Sequence, residues 1–559
     1  MRPNRMPGLG ATLLSALLLL APAALLNAQQ RTRPGAAGAA ASDPLLRALE
    51  TELARSKAQL KLDGISEPYY IEYRVFDVDQ FEASAAFGSL RDQSRTRMRL
   101  LRASVRVGGY QIDSYYGPGQ GVSDVLPLDN DELALRHQIW LATDQAYKRA
   151  GEALAAKHAL LRQLNVENPV NDFSKAAAVR SIGPAAKLEV DPSHWTAMLE
   201  SATALYKTDP EIQSFDAELS FLALTSYFVN TDGTVLRRPS THYLLTLSAT
   251  EQAPDGMRLT RSPEYASSRI EDMPTPEALQ RDAAALVAQM KQLRTAPVVE
   301  ENYRGPVLFS SDAAADVFYA LIATNVLGKR PEPGRPARTV GAFASSLKGR
   351  VLPTFLSIVD DPTVDKVGGK ALTGSYQVDD EGVPASPVTV VDKGILINYL
   401  LGRQPIRDFP ESNGHGRASG NGTTNPAPGN LFIRAEHTRT RDELRKQMME
   451  ICRERGLPYG YFVDTLGPRL TPRALYRLWA ADGREELVRG AVFNELDARA
   501  LRNDLLAVGD DAAASNRSGI PPASIVSPSI LFDELEVRRA DNSREKLPDY
   551  PPPELSTGR

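Results

Sequence analysis

Cysteine occurs once in the 559 residues, at Cys452, so no intrachain disulfide can form and stability must come from burial. Charge of one sign is not in excess either: 65 Lys+Arg against 69 Asp+Glu leave a formal net charge of −4. A global basic field is therefore lacking, and nucleic acid is not expected as a partner. Three catalytic signatures are missing as well. There is no G-x-S-x-G elbow, no G-x-x-x-x-G-K-[ST] loop, and no G-x-G-x-x-G leading from a strand into a helix. His137 and His158, on one predicted helix, lack metal-ligand spacing, and His242, on a predicted strand, reads as structural.

What is present suits a globular protein of more than one core: 42% apolar and 24% charged residues over several domain lengths. The one long apolar run lies at the start, where Arg2 and Arg5 precede "GATLLSALLLLAPAALL". This predicts a cleavable signal peptide over 1–28, a flexible linker over 29–42 and a periplasmic or secreted protein. The run is short for a spanning helix and no Cys follows it, so no stable membrane anchor is expected. Asp43, Pro44 and spaced leucines predict a helix over about 43–62, and "DNDE" opens another over 129–163 with Leu133, Ile139, Leu141, Tyr147, Leu154 and Leu161 on one face. "YYIEYRVFDVDQFEASAAFG", "RMRLLRASVRVGG" and "FDAELSFLALTSYFVNTDGTVLRRPSTHYLLTLSAT" predict antiparallel strands, the last turning at "NTDGT". Pro297 after an amphipathic helix places a boundary between an N-terminal α/β domain, 43–297, and a β-rich domain, 298–545. A tail over 546–559 follows. The fold class expected is α+β, a sandwich-like α/β domain plus a mostly antiparallel β domain.

In the second half, "GPVLF" predicts a strand and "SSDAAADVFYALIATNVLG" a helix that Ser311 and Asp312 can cap. Helical insertions are expected over about 439–456, around Cys452, and over about 485–506. "SYQVDDEGVPASPVTVVDKGILINYLLGR" raises a narrower question. Asp379, Asp380 and Glu381 before Gly382 read as a charged turn at the entry of a hairpin, with the acids solvated or at a rim. A metal site is the other reading, though adjacent carboxylates without a nearby His or third acid make a weak cage.

Taken together, "GPVLF", its helix, "DDEGVP", "KGILINYLLGR", "SNGHGRASGN" and a terminal "VSPSILFDELEVRR" resemble the C-terminal half of the TldD/PmbA family, and "SYFVNTDGT" resembles its N-terminal domain. That family comprises metallopeptidases and their non-catalytic partner subunits. The resemblance implies a His-Glu-x-x-x-His motif in the helix after "GPVL", where two histidines hold zinc and the glutamate activates water. Residues i and i+5 lie about 140° apart on a straight helix, so that helix must distort for both to reach one ion. At the matching positions this chain carries Tyr319, Ala320 and Thr324, none of which can substitute. A third ligand, a Cys before the terminal strand, is replaced by "GDDAAASNRSGIPP".

The resemblance therefore implies a pseudoenzyme with no cofactor, zinc belonging to the active members. It would act as a peptide-binding or partner subunit in a homo- or heterodimer with a family paralogue. The alternatives are a hydrolase with a relocated metal site around His415 and the acids of "DDEG", with His437, Glu436 or Cys452 as further donors, and a purely structural envelope protein. Asp379, Asp380, Glu381 and His415 are the candidate ligand-contacting residues.

Overall fold

The computed structural model describes residues 43–165, 170–300, 302–335 and 337–541. The expected signal peptide, linker and tail lie outside the described residues. Helix α1 (Pro44–Gln59) starts where Asp43 accepts the Leu46 N–H at 3.1 Å and Pro44 presets φ. Helix α2 (Glu132–Gln163) is capped by Asp131. Its buried stripe is Leu135, Ile139, Ala142, Ala146, Tyr147, Ala150 and Ala153, whereas Leu133 and Leu141 are exposed. The expected face was wrong there because large residues were weighted over the alanines that let the helix lie close on the sheet.

That sheet has eight strands. At its centre lie β1 (Pro68–Ala86), β2 (Ser89–Val107), β3 (Ile212–Asn230) and β4 (Val235–Gln252), in the order β2-β1-β3-β4 and all antiparallel. The "NTDGT" turn joins β3 to β4 as expected. Period-2 alternation sorts the faces. Odd residues Ile71, Tyr73 and Val75 pack under α1 and α2. Farther along the same face, Phe81, Ala83 and Ala85 pack under α3 (Pro192–Thr203) and α4 (Pro276–Thr295). Even residues reach the other face, where Phe76, Leu222 and Leu224 meet Ala418 of the C-terminal half.

The C-terminal half contributes β5 (Tyr303–Phe309), β6 (Leu356–Asp360), β7 (Val388–Asp392), β8 (Asn430–Ala435), β9 (Tyr459–Leu466), β10 (Pro472–Trp479), β11 (Ala513–Arg517), β12 (Ala523–Ser527) and β13 (Ile530–Arg539), with shorter strands at the margins. A seven-stranded sheet is built around β10-β9-β5-β13 and a six-stranded sheet around β7-β6-β8-β12-β11. The pairs β5·β9 and β8·β12 are parallel; the other pairs in these two sheets are antiparallel. Helix α5 (Ser311–Phe318) follows β5 and packs on both sheets, with Ser310 as its cap instead of Ser311 or Asp312. Helix α6 (Arg441–Glu454) opens on the capping box Thr440/Glu443 and buries Cys452 beside Leu444 and Met448.

The helix expected over 485–506 is corrected to strands Glu485–Val488 and Ala491–Phe493 and a short helix Ala498–Asn503. Gly490, at φ +74°, turns the chain between the strands where a helix would need φ near −63°. The fold is α+β, mixed and mostly antiparallel. Among the described residues no helix is long and apolar enough to cross a membrane.

Candidate functional site

Helix α5 does not continue regularly past Phe318. Tyr319–Ala323 form a π-turn, closed by the Thr324 N–H donating to Tyr319 O at 3.3 Å, five residues back. This is the distortion that an i, i+5 ligand pair requires, and it falls on the positions where the family motif would lie. Tyr319 and Ala320 are half-buried and Thr324 is exposed, its Oγ1 donating to Ala320 O at 2.8 Å.

The segment that the resemblance pairs with this helix does reach it. Strand β11 is the edge of the six-stranded sheet and runs beside α5: Ser515 Oγ donates to Asp312 Oδ1 at 2.7 Å, and Arg517 pairs with Asp316. The Arg517 guanidinium lies 5.8 Å from the Tyr319 ring centroid, and its Nε and Nη2 are buried without a partner. Zinc does not fit this donor set. A phenol, a methyl and a hydroxyl stand at the three positions that the resemblance assigns to the motif, and the side chain that reaches Tyr319 from the later loop is a guanidinium, not a thiolate. Among the described residues no three His, Cys, Asp or Glu side chains are grouped so as to hold a metal ion.

The acids of "DDEG" are not a solvated turn. Asp379 is fully buried, and Asp380 and Glu381 are each 6% exposed. Asp379 Oδ1 accepts the N–H groups of Glu381 (2.9 Å) and Val383 (2.8 Å), and its Oδ2 accepts that of Gly416 (2.9 Å). Burial and the neighbouring Glu381 nevertheless push its carboxyl up to about 7. Glu381 accepts the Arg403 N–H at 2.5 Å and the Thr424 hydroxyl at 2.9 Å. A Cβ on Gly416 would fall 2.2 Å from Glu381 Oε2, so only glycine admits this arrangement.

Asp380 faces the even side of the N-terminal sheet. Its Oδ2 accepts the Ala418 N–H at 2.8 Å and Arg417 Nε at 3.3 Å, its Oδ1 pairs with Arg238, and its carbonyl accepts Arg74 Nη2 at 2.6 Å. Despite burial, the three guanidinium groups, Arg238 foremost, hold its carboxyl well below the usual range. The turn reading failed because the partners are strand arginines 37, 142 and 306 residues away, Arg417, Arg238 and Arg74, which local pattern does not reveal.

His415 is fully buried rather than carried on an open loop. Its Nε2 lies 3.1 Å from Asp360 Oδ1 and its Nδ1 3.0 Å from Asn413 O, so each ring nitrogen faces an oxygen and neither is open to a metal. His437 and Glu436 are exposed, Glu436 pairing with Lys393. Burial raises the Cys452 thiol to about 11, as suits a packed thiol. Arg74, Arg238, Arg403, Arg417 and Arg517 were missed by the sequence reading. The available signal was an arginine inside an otherwise apolar strand, as in "YIEYRVF".

Over residues 302–539 the chain matches the PmbA/TldA metallopeptidase C-terminal domain. It is 33% identical over 93 residues to a metalloprotease of Methanocaldococcus jannaschii, a stretch covering 16% of this chain and 20% of that protein. The chain therefore spans about a fifth of the length of that curated relative. Solved structures share the fold at greater length. A putative modulator of a DNA gyrase from Thermotoga maritima matches at TM-score 0.56 and 16% identity, over 88% of this chain and 99% of that one. TldE from Thermococcus kodakarensis matches at TM-score 0.55 and 13% identity, over 88% and 100%.

Proposed function

Since the chain belongs to the TldD/PmbA family, we propose that it is a member without zinc chemistry, which holds an extended peptide or a segment of a partner protein. The observation that carries this reading is the Arg517 guanidinium beside Tyr319 at the π-turn. A cation centre and its general base are replaced there by a hydrogen-bond donor and an aromatic ring. Two buried Arg517 nitrogens, Nε and Nη2, lack a partner, and a carbonyl or carboxylate of a chain that packs into this segment would suit them. Strand β11, an edge paired on one side by β12, supplies the backbone along which such a chain could add as a further strand.

Partnering has a separate support. Leu133, Trp140 and Leu141 lie exposed on α2 at i, i+7 and i+8, an apolar stripe that a homo- or heterodimer with a paralogue would cover. The leader-like segment 1–28 supports export and a periplasmic or secreted site of action.

The test is elemental analysis of the mature protein, from Gln29 onward, after dialysis against trace zinc and brief chelation, with mass spectrometry of peptides released on denaturation. No stoichiometric zinc and a recovered peptide are expected, the peptide being lost in Arg517→Ala. About one tightly held zinc per chain would overturn the reading.

A further inference from the structure

We propose that the seam between the even face of the N-terminal sheet and the Asp379–Glu381 loop binds one small monovalent anion, of the size of chloride or formate. The argument starts from charge. Arg238 and Arg417 pair with the Asp380 carboxylate and Arg74 donates to its backbone carbonyl, so three guanidinium groups meet at one acid. The adjacent acids are already committed, Asp379 to three backbone N–H groups and Glu381 to Thr424 and the Arg403 N–H.

The hydrogen-bond inventory points the same way. Arg74 is 1% exposed and Arg417 4%, yet Arg74 Nε and Nη1 and Arg417 Nη1 are buried with no partner. Aromatic rings cover their faces, Phe228 at 4.5 Å from Arg74 and Tyr376 at 4.2 Å from Arg417, and leave the N–H edges to be satisfied. Buried donors without acceptors are costly, and more so on a charged group, so in the cavity that Arg417 lines a ligand that accepts from its Nη1 and carries negative charge is favoured.

Size then selects the ligand. Between the two halves lies a cavity of about 30 Å³, lined by Arg238, Arg417, Asp380, Ser226, Ser240 and Tyr376. It has room for one or two water-sized groups and none for a nucleotide or a peptide. On the sheet side the Ser226 hydroxyl can donate to the same ion, while that of Ser240 is given to Leu224 O at 3.5 Å. The bound anion would lock the loop of "DDEG" onto β1 and β4, and so stabilise the joint between the two halves of the chain.

The experiment uses the full mature chain in gluconate buffer at constant ionic strength. Chloride or formate replaces gluconate while the melting temperature is followed, and crystals grown with bromide are examined for anomalous scattering. A saturating rise of several degrees is expected with chloride and with formate, together with a bromide peak beside Arg417 and loss of the rise in Arg417→Gln. No bromide peak at the seam would overturn the proposal, whatever happens to that variant. A peak without a saturating thermal response would overturn it too, as binding at crystal concentration only.

Discussion

His242 lies on β4 opposite Leu222, 2% exposed, with neither ring nitrogen partnered. Burial holds its pKa down at about 4, against an ordinary 6.5. The unfolded chain therefore takes up the proton first, and stability is lost as pH falls from 6.5 towards 4. The loss amounts to about 3 kcal/mol for such a difference. Denaturant titrations of His242→Leu between pH 7 and 4 should show this slope flattened; an unchanged slope would mean that the imidazole is paired or hydrated. A histidine inside a β-rich run was legible as structural. Its isolation was not, because the atoms around it belong to other strands.

At the scale of elements, the π-turn has the geometry that the family motif would need. An i, i+5 pair needs one extra residue in the turn, and Tyr319–Ala323 supplies it. Tyr319→His, Ala320→Glu and Thr324→His, combined with Arg517→Cys, should therefore create a site holding about one zinc per chain. Keeping Arg517 should weaken that binding at least tenfold through its positive charge, and isothermal titration would measure both. Failure of the fourfold variant to bind zinc would mean that β11 does not approach the helix closely enough. The altered ligands were legible only through the family resemblance, and the need for distortion from the i, i+5 spacing of the motif it implies; the arrival of Arg517 was not, because it depends on the docking of an edge strand nearly 200 residues later in the chain.

Over the whole molecule, Asp380 is one of the carboxylates on which both halves meet, with Asp232 and Asp172 among the others. Asp380→Ala would leave Arg238 and Arg417 without their carboxylate while Arg74 keeps the backbone carbonyl, an expected loss of about 3 to 5 kcal/mol. Calorimetry should show the variant's unfolding broadened or split, with the N-terminal sheet and the C-terminal sheets melting apart; a single transition at the wild-type temperature would contradict this. Because the Asp380 carboxyl is held well below its ordinary range, its contribution is full above the unfolded pKa near 3.9 and is lost as pH falls below it. Element identities along most of the chain were readable locally. Caps at Asp43 and Thr440, alternation in β1 to β4 and the "NTDGT" turn are each set by neighbours within a few residues. The fate of Asp379, Asp380, Glu381 and His415 was open at that level, since a carboxylate beside a glycine reads alike whether water or three arginines surround it. Burial against distant strands settled it, because the cost of desolvating a charge depends on every group around it and not on its place in the chain.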